Sequence, residues 1–549
     1  MNPDELLDQL DEEQKIAAQA LRGPTCILAG AGTGKTRTIT TRIAYGIATG
    51  YYSANRVLAL TYTNKAAAEL RTRLRALGVG QVAAKTFHSA ALSQLDYFWP
   101  QFAGSATPRV LDSKAQILTK LAQERKIKID PAGLRDLAAE IEWRKYSMLS
   151  PEQYLEAKRN PPSGLTRTQT ADLMNAYEDA KVAANQIDWE DVLVLCLGLL
   201  RAEPRALAHV QQQYRFFTVD EYQDISPLQH ALLLTWLGDR NDICVVGDPN
   251  QTIYSFTGAS SSYLQSFETE FENATVANLT SNYRSTQQIV TFANRLTHES
   301  ALDALVSQQE VGMAPRVMEF ANSQEEAAYI ANAIRQALSS GVKASDIAVL
   351  YRVNGQSEQL ENALTQAGIE YQLKGGERFF QRKEIQDAMR AIRAEIATKV
   401  EKPARQAMVE IARSLGWQLQ APSESGSARD RWESLNSLLA ISDELPDGID
   451  LPNLYAELDE RQRSQHEPVK AAVTLATIHA AKGLEWQQVF IYGLTDGYLP
   501  ISYAKSEAEI AEEKRLLYVG ITRARKTLLL SHSKDREPSR FLKLLERKL

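Results

Sequence analysis

The stretch ILAGAGTGKTRTI, residues 27–39, constrains the fold of this chain more than any other segment. An apolar run enters a loop of small residues, and Gly34-Lys35-Thr36 then opens a segment with helical spacing. Glycines let backbone N–H groups close around phosphate oxygens, and the amino-terminal end of a helix adds a favourable dipole. In such a loop Lys35 can reach the β- and γ-phosphates of a nucleotide, and the Thr36 hydroxyl can bind Mg²⁺. The segment therefore predicts a strand, a phosphate-binding loop and a helix.

This loop departs from the usual pattern at its first position, where Ala29 replaces a glycine. Gly30 and Gly32 still keep the loop open, so we expect the departure to be tolerated. A bare glycine-rich turn without a nucleotide is the alternative, and it explains the Lys-Thr pair poorly.

A second segment supplies the acidic groups that nucleotide hydrolysis needs. The apolar run FFTV leads directly into Asp220-Glu221, within DEYQD. Asp220 is placed to hold Mg²⁺ through water, and Glu221 to polarise an attacking water as a general base. An Asp-Glu pair after a strand is usually a solvated turn, but together with the phosphate loop it predicts nucleotide hydrolysis.

Composition limits the classes to which the chain can belong. Its 549 residues suggest roughly three to four domains. No apolar run approaches the ~20 residues of a membrane span, and the acidic N-terminus lacks the layout of a signal peptide. A net charge of −6 argues against coating nucleic acid by bulk charge. We therefore expect a cytoplasmic protein that has no membrane partner.

The cysteine pattern excludes two kinds of scaffold. Cys26, Cys196 and Cys244 lie far apart in apolar runs, and no CxxC pair occurs. A disulfide framework or a zinc cluster is not expected from such spacing, which fits a reducing compartment.

Strand-like and helical segments alternate along the chain. Apolar runs at TCILAG, RVLALTYT, RFFTVDE and DICVVGD predict strands in the first half. DIAVLYRV, QVFIYGL and TLLLSHS predict strands in the second half. Helical spacing dominates from about 86 to 185 and again over 388–472. Alternation of strands with helices favours parallel sheets. The pattern predicts an α/β fold with two parallel-sheet domains, each interrupted by a mainly helical insertion.

At DEYQD the chain resembles the UvrD/Rep/PcrA branch of the superfamily 1 helicases. Other stretches resemble motifs of that family and follow in the expected order: DEEQKIAA, TYTNKAAAELR, TFHSAAL, VVGDPNQTIYSFTGA, LTSNYRS, VTLATIHAAKGLEWQQVF and LLYVGITRARK. One such match would be weak, but eight in order across two domains are hard to obtain by chance.

The resemblance implies two RecA-like P-loop NTPase domains around one ATP site. Residues 1–85 and 186–277 would form the first domain, with 86–185 as its helical insertion. Residues 278–387 and 473–549 would form the second, with a short helical insertion at 388–472. The chain ends soon after its last predicted strand, so we expect no nuclease domain and no long C-terminal tail.

The resemblance also implies ATP and Mg²⁺ as cofactors and assigns the residues that handle them. Lys35, Asp220 and Glu221 keep the roles argued above, and Gln251 would sense the γ-phosphate. Arg284 and Arg523 would act as arginine fingers, since a planar, permanently charged fork suits the transferring phosphoryl group. The nucleotide-binding set is completed by Gln14 on the adenine, Arg37 and Tyr283 around the adenine, Glu485 on the ribose, and the loop residues Ala29, Gly30, Ala31, Gly32, Thr33, Gly34, Lys35 and Thr36. Thr36 and Asp220 would be the metal ligands.

DNA contacts are expected to follow a different logic. A motor that ignores sequence should grip phosphates and stack on base faces. The candidates for stacking are Tyr62, Phe87, Tyr254 and Phe256, and those for backbone contacts are Thr86, His88 and His479. Core packing is the alternative for each aromatic residue, above all for Phe87. The family usually has Trp at Phe256 and Arg at Thr257, so the grip on DNA here is expected to be weaker or differently shared.

The sequence therefore predicts an ATP-dependent DNA helicase that moves 3′→5′ on single-stranded DNA. It would unwind duplex at single/double-strand junctions in DNA repair, replication or recombination, in a bacterial cytoplasm with the nucleoid. One alternative is a translocase that strips proteins from single strands and unwinds poorly, which the 85-residue second insertion permits. Another is a non-enzymatic DNA-binding scaffold, against which the complete catalytic set speaks. Protein partners, oligomeric state and pathway stay open.

Overall fold

The computed structural model describes residues 2–129, 131–157, 159–162, 164–297, 304–374, 380, 382–397, 402–420, 432, 434–436, 438–439, 441–442, 449–464, 471–502 and 504–546. The chain divides into two compact units. Unit 1 comprises Met1–Arg284 and Thr297–Gln309, and unit 2 comprises Ser285–Leu296 and Glu310–Leu549. Unit 1 thus runs to Arg284, whereas the sequence suggests a division after residue 277. The predicted domain and insertion boundaries stay predictions.

Unit 1 is built on a parallel sheet of six strands among the described residues, in the order β3-β2-β6-β7-β1-β8. The unit 1 strands are β1 (Thr25–Ala29), β2 (Val57–Thr61), β3 (Ala83–Thr86), β4 (Arg109–Val110), β5 (Gln186–Ile187), β6 (Phe216–Val219), β7 (Ile243–Gly247), β8 (Thr275–Leu279), β9 (Ser281–Asn282) and β10 (Val306–Ser307). β2, β6 and β7 are buried along their whole length. That burial explains why they read as continuous apolar runs.

The helices of unit 1 lie on both faces of this sheet and in a separate cluster. They are α1 (Pro3–Leu7), α2 (Glu12–Gln19), α3 (Lys35–Ala48), α4 (Asn64–Ala76), α5 (Phe87–Ala103), α6 (Ala115–Glu124), α7 (Pro131–Tyr146), α8 (Pro151–Glu156), α9 (Arg167–Ala183), α10 (Trp189–Ala202), α11 (Pro204–Gln213), α12 (Pro227–Leu237), α13 (Ser262–Gln265) and α14 (Phe267–Glu270). α3 and α4 pack on one face and α5, α10 and α12 on the other.

The helical stretch in unit 1 has a hydrophobic core of its own. Leu118, Ile141, Tyr154 and Tyr177 belong to this core, which draws on α6 to α9. The short parallel pair β4–β5 lies at the two chain connections to this stretch. α5 and α10, by contrast, pack with the core of the sheet. Residues from about 111 to 180 therefore pack as a separate helical cluster.

Unit 2 contains a second parallel sheet of six strands among the described residues, in the order β11-β16-β15-β12-β14-β13. The strands are β11 (Arg316–Phe320), β12 (Ile347–Tyr351), β13 (Tyr371–Lys374), β14 (Val473–Thr477), β15 (Trp486–Ile491) and β16 (Ala524–Ser533). β12 lies beside β14 and β15 and is buried throughout. The two parallel sheets confirm the predicted α/β fold class.

The described helices of unit 2 include two groups with separate cores. They are α15 (Gln287–Thr297), α16 (Ser323–Ser339), α17 (Ser357–Gln366), α18 (Lys383–Ala397), α19 (Ala404–Ser414), α20 (Leu451–Ser464), α21 (Glu507–Ile521) and α22 (Leu542–Leu545). α16 and α17 pack in a core with the sheet. α18, α19 and α20 share a separate core that includes Phe380 and Ile385. This helical cluster lies within and just before the predicted second insertion.

Among the residues that the structure describes, no helix is both long enough and apolar enough to cross a membrane. Cys26, Cys196 and Cys244 are buried free thiols.

A buried carboxyl group makes the stability of unit 2 depend on pH. Glu326, in α16, is 0% exposed. Its Oε1 accepts hydrogen bonds from the Gly493 N–H (2.8 Å) and from the Ser531 hydroxyl, while Oε2 has no partner in the described structure. Burial raises the pKa of Glu326 from 4.5 to about 7. The folded chain therefore keeps this carboxyl protonated at pH values where the unfolded chain has ionised it.

We expect Glu326→Gln to remove this pH dependence. As pH rises from 4.5 to about 7, the unfolded state alone gains a charge, so the wild type loses about 3 kcal/mol of stability. Glutamine does not ionise, so the variant should gain stability relative to the wild type between pH 5 and pH 8. Urea and thermal melts at both pH values measure this. Glu325→Gln, at an exposed neighbouring residue, is the control. A difference in stability between the wild type and Glu326→Gln that is the same at pH 5 and pH 8 would contradict the expectation.

Candidate nucleotide-hydrolysis site

Three neighbouring strands of the first sheet bring the predicted catalytic residues to one edge. β6, β7 and β1 are adjacent and parallel, so their carboxyl ends meet at the same edge. The phosphate loop follows β1, Asp220-Glu221 follows β6, and the 3₁₀ turn Pro249–Gln251 follows β7. The sheet thereby places Lys35, the acidic pair and Gln251 at one edge, where open parallel sheets bind ligands.

The phosphate loop has a conformation that depends on its glycines. Gly32 and Gly34 have φ values of +73° and +80°, which disfavour any side chain. A Cβ atom on Gly32 would lie 2.6 Å from Asn282 Nδ2 and 2.7 Å from Arg284 Cβ. Gly34 precedes the first residue of α3 without a side-chain cap, so the helix end points its N–H groups into the loop. Ala29 is the last residue of β1 and packs in the core.

Lys35 faces the acidic pair without a hydrogen-bond partner in the described structure. Its Nζ is buried and lies 4.0 Å from Glu221 Oε1. The side chain of Lys35 is 13% exposed and that of Glu221 is 25% exposed. A buried ammonium group costs free energy unless hydrogen-bond acceptors surround it. The phosphate oxygens of a nucleotide would supply such acceptors, so this cradle fits a triphosphate.

Asp220 is a buried carboxyl group with little to stabilise its charge. Burial, and next the charge of Glu221, raise the pKa of Asp220 to about 7, although Lys35 lowers it. Its Oδ1 accepts a hydrogen bond from the Glu221 N–H at 2.9 Å. A bound divalent cation would offset the desolvation of this carboxylate, which makes the residue suitable for Mg²⁺. Thr36, the other predicted ligand, is half-buried in the first turn of α3.

Glu221 has a left-handed backbone conformation, with φ +55°. Such a conformation is uncommon for a residue other than glycine and costs of order 1–2 kcal/mol. It turns the chain sharply after β6, so that Asp220 stays in the sheet edge while Glu221 reaches toward Lys35.

Gln14 contacts the phosphate loop itself. Its Nε2 donates to the Thr33 carbonyl oxygen (2.9 Å), and its Oε1 accepts from the Asp11 N–H (3.4 Å) within a capping box at the start of α2. Both ends of the amide are thus engaged inside the protein. Its contact with adenine stays a prediction that this arrangement does not favour.

The segment after β8 runs along the same loop and carries Tyr283 and Arg284. The Tyr283 N–H donates to the Gly32 carbonyl (2.8 Å), and the Arg284 N–H donates to Asn282 Oδ1 (3.0 Å). Tyr283 is 41% exposed, and Arg37 is exposed on α3, so both side chains are accessible to a base.

Two residues that the sequence analysis missed hold this segment in place. The carboxylate of Glu13 accepts hydrogen bonds from the N–H groups of Thr280 (2.7 Å) and Ser281 (3.2 Å). Asn282 is buried, and its Nδ2 donates to the Ala31 carbonyl oxygen at 2.6 Å. Both residues lie inside quoted motifs, but only the folded chain reveals their partners.

Gln251 is buried at the end of its 3₁₀ turn. Its Nε2 donates to Asp248 Oδ2 at 2.8 Å. This contact holds the residue at the sheet edge where a γ-phosphate sensor is expected.

Two predicted nucleotide contacts belong to unit 2. Arg523 is 2% exposed and donates to the carbonyl oxygens of Val519 (2.9 Å) and Leu484 (3.2 Å). Glu485 is exposed, and its Oε1 lies 3.9 Å from Arg525 Nη1. Their roles toward the nucleotide stay predictions.

The structure brings together two of the predicted stacking residues. The rings of Tyr62, which follows β2, and Tyr254 stack with centroids 5.4 Å apart and planes inclined by 12°. Burial raises the pKa of Tyr62 to about 12, an effect that a hydrogen bond with Thr257 opposes. The Thr257 hydroxyl also donates to the Tyr254 carbonyl oxygen (2.7 Å). Thr257, where the family usually has Arg, therefore contacts both members of the pair. The side chain of Phe256 lies outside what the structure describes.

The remaining predicted DNA contacts are less accessible. Phe87 is 3% exposed and stacks on Trp236 in the sheet core, which favours the core-packing alternative. Thr86 caps α5 by accepting from the Ser89 N–H (3.1 Å). Burial lowers the pKa of His88 to about 4 and that of His479 to about 3. Both histidines are therefore neutral near pH 7 and bring no positive charge to a phosphate.

Comparisons with known proteins match this chain to helicase domains and to DNA helicases. Residues 10–272 match the family model of the UvrD/REP helicase N-terminal domain, and residues 277–421 and 395–535 match that of the UvrD-like helicase C-terminal domain. The ATP-dependent DNA helicase UvrD2 of Mycobacterium tuberculosis (strain ATCC 25618 / H37Rv) is 44% identical over an alignment of 575 positions, which covers 98% of this chain and 82% of that protein. The ATP-dependent DNA helicase PcrA of Bacillus subtilis (strain 168) is 30% identical over an alignment of 625 positions, which covers 97% of this chain and 84% of that protein.

Proposed function

The chain belongs to the UvrD/Rep family of ATP-dependent DNA helicases, and from this premise we propose that it moves 3′→5′ along single-stranded DNA. It opens duplex at single/double-strand junctions, in DNA repair, replication or recombination, and acts in the cytoplasm with the nucleoid.

One observation carries this proposal: Gln251 of the hydrolysis site and Tyr254 of the stacked aromatic pair lie in one short segment. Gln251 lies at the sheet edge with Lys35, and Tyr254 follows three residues later, stacked on Tyr62. Aromatic faces bind every base alike, and each stack contributes about 1–3 kcal/mol. A change at the γ-phosphate is thus passed to a base-stacking residue through three peptide units.

The residues divide the work of hydrolysis among them. Lys35 donates to the β- and γ-phosphates, where its unpartnered Nζ finds acceptors. Glu221 accepts a proton from the attacking water, whose oxygen bonds to the γ-phosphorus as the bond to ADP breaks. Gln251 senses the γ-phosphate, and Arg284 and Arg523 offset the charge that develops on the phosphoryl group. The adenosine is held by Arg37, Tyr283 and Glu485, and Gln14 supports the phosphate loop through the Thr33 carbonyl oxygen.

Asp220 and Thr36 are proposed to hold Mg²⁺ in this site. The buried carboxyl of Asp220 and the hydroxyl of Thr36 are hard oxygen donors, which Mg²⁺ prefers. When bound, the cation neutralises charge on the β- and γ-phosphate oxygens.

DNA is proposed to lie over the Tyr62–Tyr254 pair. Phe256 completes the stacking platform, while Thr86, His88 and His479 contact the backbone through neutral groups. Phe87 is the weakest member of this set because it is occupied in the core.

Strand-displacement assays test the polarity and separate the alternatives. We expect ATP turnover to rise with added single-stranded DNA, and duplexes with a 3′ tail to be opened while those with a 5′ tail stay closed. A translocase that only strips proteins would hydrolyse ATP and displace bound streptavidin but leave both duplexes closed. A scaffold would bind DNA without turnover. Opening only from the 5′ tail would overturn the proposed direction.

A further inference from the structure

Gln223 is a buried polar residue at the hydrolysis site for which the sequence analysis offers no role. It lies two residues after Glu221 in the 3₁₀ turn Tyr222–Asp224 and is 0% exposed. Buried amide groups are costly unless both ends find partners. The partners of Gln223 are the carboxylate of Glu221 and the backbone of Asp248, which follow two different strands, β6 and β7.

The orientation of this amide is decided by one of its partners. The Asp248 N–H lies 3.0 Å from the amide and can only donate, so the atom facing it must be Oε1. Nε2 is then turned toward Glu221 and donates to its Oε2. The same Nε2 lies 3.5 Å from Asp224 Oδ2. Gln223 therefore presents its donor to the general base.

Asp248 extends this connection to the γ-phosphate sensor. Its Oδ2 accepts from Gln251 Nε2 at 2.8 Å, and its Oδ1 accepts from the Asn250 N–H at 2.9 Å. A continuous series of hydrogen bonds thus runs from Glu221 through Gln223 and Asp248 to Gln251. The series begins at Glu221, the proposed general base for the attacking water, and ends at Gln251, the proposed γ-phosphate sensor.

Gly247 leaves the room that this connection needs. A Cβ atom there would lie 2.4 Å from Gln223 Oε1, 2.8 Å from Leu264 Cδ2 and 3.2 Å from the backbone N of Gln223. A glycine at the end of β7 is therefore required for the Gln223 side chain to reach Asp248. This requirement gives a second way to disturb Gln223 without replacing it.

We propose that Gln223 is a positioning residue for ATP hydrolysis: it aims the Glu221 carboxylate and keeps it in register with Gln251. The inference rests on the roles proposed above for Glu221 and Gln251. It goes beyond them because Gln223, which is 0% exposed and donates to the Glu221 carboxylate, would act through that carboxylate.

Two substitutions test the hydrogen bonds of Gln223, one by removing only its donor and the other by removing both its donor and its acceptor. Gln223→Glu keeps an acceptor for the Asp248 N–H but sets a carboxylate against Glu221. Gln223→Met keeps the length of the side chain and loses both hydrogen bonds. We expect both to lower DNA-stimulated kcat by roughly 10–100-fold, the loss typical when an outer partner of a catalytic group is removed. The KM for ATP and the affinity for a fluorescent ATP analogue should stay within about twofold, because Lys35 is untouched.

Matched variants distinguish positioning from support of the fold. Gln229 is also buried, but its Oε1 accepts from the Ser226 N–H (2.9 Å) and caps α12. Gln229→Met should therefore lower stability and leave kcat unchanged. Gly247→Ala should lower kcat as the Gln223 substitutions do. Thermal melts of all variants set the assay temperature, so that kcat is compared only among folded proteins.

Glu221→Gln, measured in parallel, tells the two possible failures apart. If Glu221→Gln loses at least a hundredfold in kcat while the folded Gln223 variants stay within twofold of wild type, the inference is overturned and the proposed site stands. If Glu221→Gln itself keeps wild-type turnover, the proposed hydrolysis site fails first. Equal losses in kcat and in ATP affinity for Gln223→Glu would also overturn the inference, since they indicate a collapsed site.

Discussion

Lys35→Ala is expected to lower ATP turnover by at least about 10²–10³-fold, the loss typical when one preorganised donor to the developing charge is removed. The physical reason is the position of Lys35: its Nζ is buried, lies 4.0 Å from Glu221 Oε1, and has no hydrogen-bond acceptor among the described residues, so phosphate oxygens can supply one. Binding of single-stranded oligonucleotide should stay within a few fold, because the Tyr62–Tyr254 pair lies at other strand ends.

Steady-state turnover with saturating DNA and anisotropy of a labelled oligonucleotide measure the two effects. Lys120→Ala is the control, since that side chain is 78% exposed on a distant helix of unit 1. A Lys35→Ala protein that melts like the wild type and hydrolyses ATP within twofold of it would remove Lys35 from the catalytic set.

Arg284→Ala is expected to leave ATP binding in place while lowering turnover by roughly 10³–10⁵-fold, as for arginine fingers in other phosphoryl-transfer enzymes. The backbone of Arg284 is held beside the phosphate loop, by Asn282 and by the close approach at Gly32. The Arg284 side chain therefore begins beside the loop in which we expect the phosphates to bind. Arg284→Lys should recover little, because an ammonium group lacks the planar fork.

Arg523→Ala should behave differently from Arg284→Ala. The guanidinium group of Arg523 donates to two backbone carbonyls inside unit 2, so its loss should lower both turnover and the melting temperature. Arg109→Ala, at a 75% exposed side chain, is the control for both. Single-turnover rates with bound ATP separate chemistry from binding. Near-normal DNA-stimulated rates in Arg284→Ala would exclude Arg284 as a finger.

The strands that the sequence predicted and those that it missed differ in their place in the sheets. Runs such as RVLALTYT and DICVVGD belong to central strands, which are buried on both faces and so read as apolar. The edge strands of the two described six-stranded sheets, β3, β8, β11 and β13, escaped the prediction. Residues of β11 and β13 are exposed or half-buried, so no apolar run marks them. β14 is central and was quoted only as part of a motif.

The helicase family, the α/β class and the order of the motifs were determined by the sequence alone. The α/β class and the hydrolysis site follow from local chemistry: a glycine-rich loop before a helix, carboxylates after an apolar run, and periodic apolar residues. The family follows from the resemblance of its motifs. Which groups meet was decided only by the tertiary structure. Lys35 and Glu221 are separated by almost two hundred residues and become neighbours because β1, β7 and β6 lie side by side. The amides of Gln14 and Gln223 find their partners, and Phe87 its place in the core, only when the sheet and its helices pack. Hydrogen bonds and burial between distant segments leave no periodic signal in a sequence.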